Sequence, residues 1–214
     1  MNRCNEARVR VKICGITSLE DGLHAARCGA DALGFVFYDR SPRCIAPEEA
    51  CEIVRRLPPF VSTVGLFVNE ETSRIERIAQ MCSLDMIQMH GDEEPEQCSI
   101  AGRRVIKALR LRDSSSLLRV ERFTECGVLL DAWVPHSYGG TGQCCNWDLA
   151  AEAARCRPVI LAGGLDPDNV GAAISAVHPF AVDVSSGVES APGKKDPLKV
   201  EAFIRNVNQA RSDQ

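Results

Sequence analysis

Four side chains able to exchange protons stand in short apolar runs at or near their C-terminal ends: Cys14 in Val9–Cys14, His90 in Met86–His90, Asp131 in Val128–Ala132 and Asp183 in Ala181–Ser185. A thiolate is a competent base, yet at an ordinary thiol pKa of about 8.5 only a few per cent is charged at neutral pH, so cationic surroundings have to help. Lys12 could supply them, because period-two alternation puts it on the same face as Cys14, opposite Val11 and Ile13. Cysteine is also a common small buried hydrophobe, and in a chain with eleven of them both roles stay open for Cys14. Asp131 reads equally as an acid and as a cap for the loop through Gly139, Gly140, Thr141 and Gly142. His90 is either a hydrogen-bonding or acid–base group or a structural partner of the Gly91-Asp92 turn. Asp183 either meets a substrate hydroxyl or pairs with an inward lysine such as Lys12, since a lone buried charge is costly.

An anion site is written twice. Ala162-Gly163-Gly164-Leu165 follows one apolar run and Ser185-Ser186-Gly187-Val188 follows the next, and glycines there let backbone amides approach a phosphate. The same glycines could merely turn the chain, but their position favours phosphate over that reading. Arg43, in Asp39-Arg40-Ser41-Pro42-Arg43, has the planar donors that suit a carboxylate, although most loop arginines are simply solvated.

These residues must be positioned by a regular scaffold. Eight β-rich runs alternate with helical patterns: the four above together with Ala32–Phe37, Ser62–Val68, Val105–Leu109 and Val159–Ala162. Several are apolar nearly throughout, as strands covered on both faces should be, and they begin roughly 20–30 residues apart, the length of a strand–helix unit. Thr17 with Glu20 and Ser73 with Glu76 have capping-box spacing, and Pro47, Pro167 and Pro197 suit first-turn positions. Apolar stripes follow at Ala50, Ile53, Val54 and Leu57, at Val170, Ala173, Ile174 and Val177, and at Val200, Phe203, Ile204 and Val207. The fifth helix, within Ser114–Phe123, has only a ragged stripe. No linker splits the chain, so residues 1–214 are expected to form a single-domain α/β fold, a closed (β/α)8 TIM barrel, with an open doubly wound sheet as the alternative. In such barrels the loops after the strands build the active face, and those after strands seven and eight commonly hold phosphate.

The 214 residues are 45% hydrophobic and 25% charged with a net charge of −4, which excludes disorder and fibrous repeats and argues against a nucleic-acid surface. The cysteine count is odd, no pair has CxxC spacing, and His24, His90, His136 and His178 do not cluster with them, so neither a metal site nor a disulfide framework is expected. Met1 to Arg10 lacks a signal-peptide core, and no stretch approaches the roughly 20 apolar residues of a membrane span, so the chain reads as reduced and cytoplasmic, with no membrane partner.

Taken in order, seven segments resemble the phosphoribosylanthranilate isomerase family: Lys12-Ile13-Cys14-Gly15-Ile16-Thr17; Gly34-Phe35-Val36-Phe37 with Ser41-Pro42-Arg43; Val64-Gly65-Leu66-Phe67-Val68-Asn69; Ile87-Gln88-Met89-His90-Gly91; Leu130-Asp131 with Gly139-Gly140-Thr141-Gly142; Leu161-Ala162-Gly163-Gly164-Leu165; and Asp183-Val184-Ser185-Ser186-Gly187-Val188-Glu189, followed by Gly193-Lys194-Lys195-Asp196. The resemblance implies a barrel enzyme of tryptophan biosynthesis that performs an Amadori rearrangement of a phosphosugar-anthranilate without metal or organic cofactor. It implies Cys14 as general base and Asp131 as general acid, Arg43 at the anthranilate carboxylate, and Gly163, Gly164, Ser186 and Gly187 around the phosphate; His90 and Asp183 join them as candidate substrate contacts by their own positions at the strand ends. Monomer is the expected state.

Gln143 stands where many relatives have lysine, and Cys144-Cys145 replaces small or apolar residues, which bears on the loop after Asp131 rather than on the reaction. A cysteine at position 14 favours the dedicated enzyme over bifunctional relatives with an aspartate base. Three rivals stay open: an indole-glycerol-phosphate synthase type barrel, a metal-dependent ribulose-phosphate epimerase, and a non-catalytic phosphosugar-binding protein.

Overall fold

The computed structural model describes residues 8–132 and 145–210. The expected strands are present: β1 (Arg10–Cys14), β2 (Ala32–Val36), β3 (Ser62–Phe67), β4 (Met86–Met89), β5 (Arg104–Leu111), β6 (Gly127–Ala132), β7 (Val159–Leu161) and β8 (Ala181–Val184). All pair in parallel with their sequence neighbours, and β8 returns to β1 with Lys12 opposite Asp183, so the sheet closes into an eight-stranded barrel. That closure rules out the open doubly wound alternative.

The helices are α1 (Leu19–Cys28), α2 (Pro47–Val54), α3 (Thr72–Met81), α4 (Ser115–Arg122), α5 (Trp147–Cys156), α6 (Val170–Val177) and α7 (Pro197–Gln209). Their starts correct several local expectations. The α1 cap is Ser18, whose side chain accepts from the Asp21 amide, rather than Thr17. Ser73 lies inside the first turn of α3, behind Glu71 as the capping position. Pro47 and Pro197 do open their helices, but Pro167 sits in a turn before α6, which begins only at Val170. Pro197 follows Asp196, whose carboxylate accepts from the amides of Leu198 and Lys199.

The fourth unit has no α-helix. A short 3-10 turn, Pro95–Gln97, stands between β4 and β5, where Pro95 and Gly102 break any helical run. Lys107 and Glu93 hold this gap: Lys107 Nζ donates to Glu93 Oε2 at 2.5 Å and to the Gly91 carbonyl at 2.7 Å, and Glu93 accepts from the Asn69 amide. After β8 a 3-10 turn at Ser186–Val188 leads into a hairpin, β9 (Glu189–Ala191) and β10 (Lys194–Lys195), which the sequence patterns did not announce.

Strand alternation sorts the side chains as expected. Val11, Ile13, Val128 and Leu130 point outward into the large apolar layer shared with helical residues such as Ala25, Ile75 and Phe203. Leu129 points inward to pack with Val64, Ile106, Ala108 and Ala162 inside the barrel. Cys14 lies above that inner plug beside Val36, Leu66 and Val68, at the C-terminal ends of the strands.

Candidate active site

Cys14 and Lys12 share the inward face of β1 and are both buried. Lys12 Nζ donates to Asp183 Oδ1 of β8 at 2.7 Å, as the register predicts. A β-carbon at position 34 would stand 2.8 Å from Cys14 Sγ and 3.2 Å from Lys12 Nζ, so the thiol and the ammonium crowd together over the bare backbone of Gly34. Burial dominates at Cys14 and pushes its thiol up; Lys12 pulls it back, Asp183 adds to the rise, and Lys195 opposes it. Burial also works against the charge on Lys12, but Asp183 and Cys14 outweigh it and the net shift is upward.

Asp131 ends β6 with its carboxylate buried. One oxygen accepts from the Ala132 amide at 2.8 Å, and the other lies 3.1 Å from His90 Nε2 at the end of β4. Gln88, two residues before His90 on the same face of β4, approaches His90 Nδ1 with its Nε2 at 2.8 Å. The His90 ring is thus held between the Gln88 amide at Nδ1 and the Asp131 carboxyl at Nε2. His90 therefore serves the carboxylate opposite rather than the Gly91-Asp92 turn. Gly163, at φ +78°, is shaped by this same acid: a β-carbon there would fall 2.9 Å from Asp131 Oδ1 and 2.5 Å from the Ala132 nitrogen.

Arg43 is not a solvated loop arginine. Its Nε and Nη2 grip Glu189 Oε1 and Oε2 at 2.8 and 2.7 Å, a bidentate pair lying across Gly15. Glu189 also accepts from Lys195 Nζ at 2.8 Å, and Lys195 reaches the Ser185 carbonyl at 3.3 Å. Ser185 in turn donates its hydroxyl to the Cys14 carbonyl at 3.1 Å. Burial works to raise Glu189, but the Arg43 hydrogen bond and Lys195 charge hold its carboxyl below the ordinary range. Burial pulls Lys195 below the ordinary lysine value, with Glu189 opposing. Sequence reasoning missed Glu189 and Lys195 as site residues. The only hint was that both belong to segments carrying the family resemblance.

Among the loops expected to take phosphate, Gly163 and Gly164 both have left-handed backbone. Gly187 presses against the Leu165 carbonyl, where a β-carbon would come within 1.9 Å, so the loops after β7 and β8 are packed edge to edge. Cys14, Asp131, Arg43, His90, Asp183 and these two loops thus all stand at the same end of the barrel. Gly139, Gly140, Thr141, Gly142, Gln143 and Cys144, together with His136, lie outside the described residues. Among the described residues no three His, Cys, Asp or Glu side chains gather as metal ligands would. No described helix is long and apolar enough to cross a membrane.

Comparison with known proteins gives the family. The family model described as N-(5'phosphoribosyl)anthranilate (PRA) isomerase matches residues 11–206. A relative of that name from Pelobacter propionicus is 56% identical over 205 residues, covering 96% of this chain and 98% of its own. Another from Geobacter metallireducens is 58% identical, covering 93% and 98%. The solved phosphoribosyl anthranilate isomerase from Thermotoga maritima superimposes with a TM-score of 0.89 at 46% identity, over 94% of this chain and 99% of that one. A solved phosphoribosyl anthranilate isomerase in complex with reduced 1-(o-carboxyphenylamino)-1-deoxyribulose 5-phosphate superimposes with a TM-score of 0.85 at 46% identity, with the same coverage. The chain belongs to the N-(5'-phosphoribosyl)anthranilate isomerase family, enzymes of tryptophan biosynthesis.

Proposed function

We propose that the chain converts N-(5-phosphoribosyl)anthranilate to 1-(2-carboxyphenylamino)-1-deoxyribulose 5-phosphate with Cys14 as general base and Asp131 as general acid. The observation that carries this reading is the placement of both groups, each buried and partnered, at the C-terminal ends of β1 and β6 above a closed apolar plug. Protonation of the ribose ring oxygen by Asp131 opens the ring to a Schiff base, the ring oxygen becoming a hydroxyl. Cys14 then takes the proton from the second sugar carbon, and the resulting enolamine tautomerises to the ketone, gaining a proton at the first carbon and losing one from the enol. The carboxylate left on Asp131 keeps the Ala132 amide as donor, with His90 Nε2 3.1 Å from its other oxygen.

The substrate's two anions are held apart. The amides around Gly163, Gly164, Ser186 and Gly187 take the phosphate, and the edge of Arg43 turned away from Glu189 takes the anthranilate carboxylate. His90 and Asp183 meet the sugar between them. Fixing both ends of a flexible molecule lets both proton transfers occur in place. No step calls for a metal or organic cofactor.

The test is the fluorescence decay of freshly made phosphoribosylanthranilate with the purified protein beside Cys14→Ala and Asp131→Asn. Each substitution is expected to lower kcat by about 10²–10⁴-fold with unchanged circular dichroism. A folded variant with unaltered kcat removes that residue from its assigned role. On assembly, the Thermotoga maritima relative is dimeric. We keep the monomer as the state of this chain, and a light-scattering mass of twice one chain overturns it.

A further inference from the structure

We propose that Lys195 is a positioning residue for Cys14: clamped by Glu189 beside the first strand, its ammonium supplies the unmatched positive charge that lets the thiol give up its proton to solvent. The proposal rests on reading Cys14 as the base. It assigns a task to a buried lysine that neither acid–base step uses.

The case is one of charge counting in a closed space. Around Cys14 the described residues bring three cations, Lys12 from β1, Arg43 from the loop after β2 and Lys195 from β10, against two carboxylates, Asp183 from β8 and Glu189 from β9. Lys12 and Asp183 neutralise one another at 2.7 Å. Glu189 is matched through both oxygens by the Arg43 fork. Lys195 is the cation left over, bound to a carboxylate already committed. Asp21 of α1 takes the Lys195 backbone amide at 3.1 Å, not its ammonium.

An excess charge that is 2% exposed is expensive unless an anion answers it. A thiolate at Cys14 is that anion, and its formation brings the cluster to neutrality. The link between the two is short: Lys195 Nζ is anchored on the Ser185 carbonyl, and the Ser185 hydroxyl is anchored on the Cys14 carbonyl. The two groups also interact electrostatically, each stabilising the charged form of the other. Burial alone would leave a catalytic thiol protonated at neutral pH, so a base in this position needs such a counter-charge.

The experiment follows iodoacetamide alkylation of Cys14 against pH in the full-length enzyme, read by mass spectrometry on the tryptic peptide 13–27, in which Cys14 is the one cysteine. Lys195→Met and Lys195→Gln are each expected to move the Cys14 midpoint upward by about one pH unit, which slows alkylation roughly tenfold on the acid side of the midpoint. Lys195→Arg restores the original midpoint. Cys28, in the adjoining tryptic peptide, should keep its profile in all three variants and so separates a local charge effect from general loosening. An unmoved Cys14 midpoint in Lys195→Met or Lys195→Gln overturns the proposal, as does a parallel shift at Cys28. Neither result depends on activity. Retained turnover in Cys14→Ala defeats the base assignment alone, whereas the alkylation profile judges the lysine.

Discussion

Of the buried lysine–carboxylate pairs, Lys107–Glu93 and Lys12–Asp183 lie on opposite sides of the barrel sheet. Lys107 and Glu93 lie outside it, beneath the segment where the fourth helix is missing. Their pair is knotted to the Asn69 and Gly91 amides, and the ammonium also stands over the Phe123 ring. Lys12 and Asp183 lie inside, at the mouth, next to a thiol. The chemistry is the same, but the outer pair fills the place where a helix is missing, whereas the inner pair lies beside the proposed base. Burial of an ion pair therefore says little about its task; the neighbours decide it.

The contrast can be broken by substitution. Lys107→Met leaves the buried Glu93 carboxyl without its cation and is expected to cost about 3–5 kcal/mol in urea denaturation, while the folded fraction keeps its kcat. Loss of kcat without loss of stability would place that pair in the reaction instead. Asp183→Asn keeps an oxygen for Lys12 but not the opposing charge, so it should cost about 3 kcal/mol and also lower kcat/KM about tenfold. An unchanged kcat/KM would reduce the inner pair to a structural one.

The smallest effect is one of slope. Glu189, held below the ordinary glutamate range, contributes stability that is complete at neutral pH and is lost as the pH falls through its folded value. Glu189→Gln should therefore flatten the acid side of the stability profile. An acid slope equal to that of the parent would mean the Arg43–Glu189–Lys195 cluster does not form in solution.

Much of the scaffold was legible because period-two alternation and apolar runs report on which face of a strand is covered, and Val11 and Ile13 fell opposite Lys12 and Cys14 as their spacing placed them. Helix starts were less legible. Thr17 and Ser18 are both good caps in isolation, but the Thr17 hydroxyl donates to the distant Gly193 carbonyl and Ser18 takes the cap. The placements of Cys14, Asp131 and Asp183 followed from their strand positions. The partners of Arg43 did not, because Glu189 is 146 residues away and arrives on a short hairpin that no periodicity marks. Local patterns cannot announce a contact that exists only once the ring of strands has closed.

That closure bears on synthesis. The pair Lys12–Asp183 spans 171 positions, and the hairpin carrying Lys195 follows β8. A ribosome making these residues thus releases Cys14 well before Asp183, Glu189 and Lys195. Until the final strand has emerged and docked, the first strand has an open edge and an ordinary, uncommitted cysteine. Activity should appear only once the hairpin carrying Lys195 has emerged, with nascent chains that stop before it silent.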